Sequence, residues 1–220
     1  MAVRGLYDGI ETVAGFIAAL DRTEALGESL TEPVQLRFEE GEVELELEWL
    51  WPILPGMTAG YFAEGTAIVI YAEQAAWTAK AAKTPGAADD AFLSFMAKSY
   101  DNPTAVGWSE WNIRNWDYGG CSTFGTGTHA AILLEADALA AARSPFMPRV
   151  QKIRDQVIVD LLRTETTFPF CDIASMESTP KAALIAEGQR ILDGVTLSDE
   201  ERAKLKARLD ADFAVETIGG

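Results

Sequence analysis

Two consecutive runs of strict alternation constrain this chain more than any other feature. Val34, Leu36 and Phe38 alternate with Gln35, Arg37 and Glu39; Val43, Leu45, Leu47 and Trp49 then alternate with Glu42, Glu44, Glu46 and Glu48. Successive side chains of a strand point to opposite faces, so this pattern predicts a β-hairpin over about residues 33–49, with Glu40-Gly41 as a two-residue turn. The implied register pairs Phe38 with Val43, Leu36 with Leu45 and Val34 with Leu47, and sets Arg37 opposite Glu44. One face is apolar and the other almost wholly acidic. A slip of one residue would turn the glutamate row into the core, which fixes the register.

The same segment concentrates the charge. Lys and Arg total 18 against 34 Asp and Glu, a net charge of −16, and residues 1–50 alone hold three arginines against twelve acids. A surface of that sign repels nucleic acid and anionic membranes, and suits a basic partner or a mimic of DNA phosphates. The plainer account of Glu39, Glu42, Glu44, Glu46 and Glu48 is a solvated face whose charge discourages edge-to-edge pairing. The longest apolar run, residues 65–72, falls far short of the roughly 20 residues a bilayer requires, so no membrane span is expected.

Around the hairpin the chain reads as mainly helical. A first helix is expected from Leu6 to Leu20, capped at Asp8, with Ile10, Val13, Ile17 and Leu20 on one face and Gly27 as its stop. Residues 66–83 read as helix, although the run 66–71 is β-rich enough to leave a strand open there. Residues 87–99 carry Phe92, Phe95 and Met96 at helical spacing. Three more helices follow: one capped by Thr128, one opened by Pro148 with Val150, Ile153, Val157 and Leu161 on one face, and one with Thr179 as its N-cap and Pro180 at its first position. Ser198 to Glu201 form a capping box opening the last helix. Its Leu205, Leu209 and Phe213 share a side, while Glu200/Lys204, Lys206/Asp210 and Arg208/Asp212 form i,i+4 pairs. Between these, residues 106–128 are rich in Trp and Gly and predict an ordered loop packed by its aromatics.

No catalytic constellation emerges. Gly120 to Gly127 resembles a phosphate loop only in its glycines, because Thr126-Gly127 stands where such a loop needs Lys followed by Ser or Thr. A Cys121/His129 nucleophile and base is conceivable, as is acid–base work by Asp172 beside Cys171; an inert cysteine and a helix-start histidine are the plainer account. One histidine and two cysteines are too few for a structural zinc site. Trp108, Trp111 and Trp116 line either a core or a ligand pocket.

The sequence therefore predicts a single α+β domain over 1–220, mainly α. It comprises an N-terminal helix with the acidic hairpin (1–56) and a helical body carrying the Trp/Gly loop (57–220). The expected function is non-enzymatic, without metal or cofactor: a structural subunit of a homo-oligomeric assembly, in its sharpest form a virion or head–tail connector component. The alternative is a small acidic binding protein of immunity, inhibitor or DNA-mimic type that covers a basic partner. With two cysteines and no secretory apolar core near Met1, the expected location is a reducing cytoplasm or a virus particle.

Overall fold

The alternating segment begins as helix, not strand. In the computed structural model, which describes residues 6–7, 9–39, 56–62, 67–100, 109–114, 120–163, 170–172 and 177–211, α1 (Val13–Glu39) is continuous over 27 residues and contains Pro33. The first strand expected at 33–39 is thus corrected to helix. The rest of that hairpin, including Glu42, Glu44, Glu46 and Glu48, lies outside the described residues. The run is too short to exclude helix, since Val34 and Phe38 are also four apart and extend the series Leu26, Leu30, with Leu36 the one apolar position that fits only the strand period. Tertiary anchoring then favours helix: the Ile70 N–H donates to Thr31 Oγ1 at 3.1 Å, one turn before Val34 and Gln35.

The described chain is mostly helical, with seven helices and three short antiparallel strand pairs. It divides into two compact units, Met1–Ala97 with Asn102–Gly107, and Lys98–Asp101 with Trp108–Gly220. In the first unit, β1 (Met57–Phe62) pairs with β2 (Ala67–Ala72) in a register running from Met57↔Ala72 to Phe62↔Ala67. The segment left open between helix and strand is therefore strand up to Ala72, and α2 (Gln74–Ala81) follows. Trp77 of α2 is fully buried, edge-on to Phe16 of α1 with ring centroids 5.2 Å apart, and its indole N–H donates to the Gly56 carbonyl at 3.1 Å. Helix α3 (Ala88–Ser99) buries Phe92, Leu93 and Phe95.

Helix α1 differs from expectation in start, face and length. Thr12 caps it, with Oγ1 accepting from the Gly15 N–H at 3.1 Å, and its buried stripe is Phe16, Ala19, Leu20, Thr23 and Gly27. Gly27 is not a stop. A Cβ there would lie 2.4 Å from the Ile70 carbonyl oxygen of β2, so glycine is what lets the helix approach the strand backbone.

The second unit comprises β3 (Asn112–Arg114), β4 (Gly120–Ser122), α4 (Thr128–Ala141), α5 (Met147–Leu161), β5 (Cys171–Asp172), β6 (Glu177–Ser178), α6 (Lys181–Gly194) and α7 (Asp199–Asp210). Its core joins Ile132 and Leu133 of α4, the expected Val150, Ile153, Val157 and Leu161 of α5, Ile191 of α6 and Leu205 of α7. The capping box forms as expected: Ser198 Oγ accepts from the Glu201 N–H and the Glu201 carboxylate accepts from the Ser198 N–H. The Glu200/Lys204 and Lys206/Asp210 pairs also form. Arg208 turns inward, donating to the Leu161 carbonyl and lying 5.5 Å from the Phe170 ring centroid; Asp212, its expected partner, lies outside the described residues.

The close approach at Gly27 has a measurable consequence. Gly27→Ala gains about 1 kcal/mol in helix propensity but forces α1 off a backbone carbonyl that cannot rotate away. Urea denaturation should show a net loss of about 1–3 kcal/mol.

Candidate functional site

Helix α5 carries Ile153, Val157, Asp160 and Leu161 on its buried face, so a carboxylate enters the core of the second unit. Burying an ionised carboxylate is costly unless donors replace its lost water, and the fold brings three. The β3–β4 register sets Asn112 opposite Ser122, and side chains of directly opposed residues share a face. Asn112 Nδ2 donates to Asp160 Oδ1 at 2.7 Å, and Ser122 Oγ donates to Oδ2 at 2.5 Å. The third donor is His129 at the start of α4, with Nε2 2.8 Å from Oδ2. The Arg163 guanidinium lies 4.0 Å from Oδ1.

Burial by itself raises the Asp160 carboxyl, and is the largest single influence. The hydrogen bond and charge of His129, with the Ser122 and Asn112 hydrogen bonds, outweigh it and hold the group below the usual aspartate range. An ionised carboxylate only accepts, so His129 Nε2 carries the proton of this bond. Nδ1 is buried without a hydrogen-bond partner, and the ring stands edge-on to Phe124 at 5.3 Å. His129 is fully buried, and Ser122 and Asp160 are each 3% exposed.

These residue types invite a hydrolase reading, which the geometry opposes. Acyl transfer needs histidine between serine and aspartate, taking the serine proton. Here Ser122 and His129 both donate to one carboxylate oxygen, so the aspartate is the hub and the imidazole Nε2, already carrying the proton it gives to Asp160, is not free to take one from serine. The arrangement ties β3, β4, α4 and α5 together.

A second carboxylate explains the glycine loop. Gly125 and Gly127 have φ of +97° and +95°, and a Cβ on Gly125 would lie 2.4 Å from Thr179 Cγ2, so both positions call for glycine. Their N–H groups, with that of Ala130, converge as an anion cradle at the start of α4, and Glu187 of α6 fills it. Oε2 accepts from Gly125 and Gly127, and Oε1 from Ala130 at 2.9 Å. The expected Thr128 cap is corrected accordingly: Gly127 is the N-cap residue, without a side-chain bond, and Glu187 caps the helix from a neighbouring element. Likewise Pro180, not Thr179, is the N-cap of α6.

The remaining candidates fall as follows. Cys121 is disulfide-bonded, which corrects the reading of it as a nucleophile or an inert thiol. Cys171 and Asp172 form β5, paired in backbone register with Ser178 and Glu177. Trp111 is core, 5% exposed and edge-on to Tyr100 at 5.4 Å; Trp108 and Trp116 lie outside the described residues. Burial pushes the Tyr100 hydroxyl up to about 12. Glu39 ends α1. Among the described residues no group of three or more His, Cys, Asp or Glu is placed to hold a metal ion, and no helix is long and apolar enough to cross a membrane. A shallow groove of about 430 Å³ between α5 and α7 is lined by Ile158, Val159, Leu162 and the Glu200/Lys204 pair, with Val159 64% exposed.

Sequence reasoning missed Asp160 and Glu187, yet one signal marks both. Each is a lone carboxylate within an apolar helical stripe: Ile153, Val157, Asp160, Leu161 in one case and Leu184, Glu187, Ile191 in the other. No protein-family model matches the chain, and neither a curated protein nor a solved structure does.

Two outcomes follow from this geometry. Because the Asp160 carboxyl is held below its unfolded value, its contribution is complete above about pH 4 and is lost as pH falls toward the folded value. Asp160→Asn should therefore be less stable than the native chain at pH 7, with the difference narrowing as the pH falls below about 4 in denaturant titrations. Glu187→Ala leaves three N–H groups without their acceptor and should cost about 2–3 kcal/mol, with hydrogen exchange rising first at Gly125, Gly127 and Ala130.

Proposed function

We propose that this chain is a non-enzymatic structural subunit of a homo-oligomeric assembly, in its sharpest form a virion or head–tail connector component located in the assembled particle. One observation carries the reading: the described side chains that suggested chemistry are committed to holding the second unit together. The His129–Asp160–Ser122 cluster is sealed from solvent with the aspartate as its hub. Glu187 occupies the glycine-loop cradle that an anionic ligand would need. Cys121 is held in a disulfide. The net charge of −16 supports the finer form, since an acidic lining lets DNA pass without adhering.

Light scattering across protein and salt concentration tests the proposal, and a discrete oligomer of ring size is the expected outcome. A clean monomer at high concentration would sink it and favour the acidic binding protein. Reversing charge with Glu44→Lys and Glu46→Lys separates the two readings: self-assembly should survive the change, whereas binding to a basic partner would fall steeply.

A further inference from the structure

We infer that Cys121 is oxidatively joined to Cys171, and that the second unit is completed only where protein thiols are oxidised. The inference does not require the assembly reading to hold. Cys121 is disulfide-bonded and no free cysteine is present among the described residues; the chain holds one other cysteine, Cys171. The backbone brings the two segments side by side. Ser122 of β4 forms a parallel bridge with Phe170, so each cysteine is the immediate chain neighbour of one member of that bridge, and the Thr179 N–H donates to the Phe170 carbonyl at 3.2 Å to hold β5 in place.

The bond closes a loop containing all of α4 and α5, and with them both His129 and Asp160. Its position gives it a specific task. Cys121 precedes Ser122, whose hydroxyl donates to Asp160, so fixing the end of β4 fixes a donor of the buried network. Cys121 is 7% exposed, which shields the sulfur in the folded unit. The cross-link is therefore formed as the unit folds, and it acts as a staple, not as a switch read at the surface. Oxidation proceeds by exchange with a small-molecule or oxidoreductase disulfide, RSSR. One cysteine thiolate attacks a donor sulfur and releases RS⁻; the second cysteine thiolate displaces the remaining RS⁻. Two thiols and RSSR thus give one protein disulfide and two RSH. A persistent bond of this kind belongs to an oxidising compartment or a particle exterior, in place of the reducing cytoplasm expected from the cysteine count.

The full chain tests this directly. Refolded with oxidised and reduced glutathione, it should resist iodoacetamide, and a non-reducing peptide map should contain one Cys121–Cys171 cross-linked peptide. Dithiothreitol should reduce the native chain at least about tenfold more slowly than the urea-unfolded chain. The double variant Cys121→Ala/Cys171→Ala should melt about 10 °C or more below the oxidised chain, with a Tm insensitive to dithiothreitol. Cross-linking between copies, or full alkylation of both cysteines in folded chain, would overturn the inference. So would equal melting of the reduced and oxidised chains, a comparison that holds even if the double variant does not fold.

Discussion

An ionised carboxylate removed from water is tolerated only where hydrogen-bond donors replace the water it loses, and Asp160 is satisfied by donors from three separate elements. Asn112 on β3, Ser122 on β4 and His129 on α4 all converge on a side chain of α5. Any displacement of one element leaves a buried charge short of a partner, so the bonds specify relative position as well as adding stability. Glu187 repeats the principle with backbone donors. It fixes α6 against the start of α4 by accepting from the Gly125, Gly127 and Ala130 N–H groups. The two carboxylates reach α4 from opposite partners, which makes its first turn the node of the second unit.

That node also accounts for how features suggestive of catalysis coexist with a sealed core. A glycine-rich turn opening a helix is an anion site by virtue of its free N–H groups and the helix dipole, and an internal carboxylate satisfies it as well as a phosphate would. A histidine beside an aspartate is a relay only if a third group and a substrate reach the far side of the ring. His129 has Phe124 edge-on to its ring and a buried, unpartnered Nδ1. The first unit relies on different physics. There the absence of a side chain at Gly27 admits the β2 carbonyl, and the Thr31 hydroxyl secures the approach.

What was legible in the sequence was local. The α5 stripe at Val150, Ile153, Val157 and Leu161 follows from 3.6-residue spacing, and the Ser198/Glu201 box is a reciprocal bond within one turn. Pairs such as Glu200/Lys204 need only neighbouring side chains on the same helix. Asp160 and Glu187 were half-legible, because a charged residue inside an apolar stripe announces that it needs partners without naming them. The partners lie 31 to 62 positions away along the chain, a separation that periodicity does not encode.

The 33–39 segment shows where that limit falls. The alternation pointed to a strand, yet Val34 and Phe38, four apart, share a face in strand and helix alike and only Leu36 tells the two apart, so the local signal was short enough for an anchor elsewhere to override it. By itself the sequence determined the net charge of −16, the helical majority and the Ser198/Glu201 box that closes within one turn. Tertiary structure alone decided that Gly27 is a contact and not a stop, that Glu187 fills the glycine cradle, and that Asp160 gathers Ser122 and His129. Each of these depends on a second chain segment arriving at a fixed distance, and distance in space is what a linear order of residues leaves unspecified.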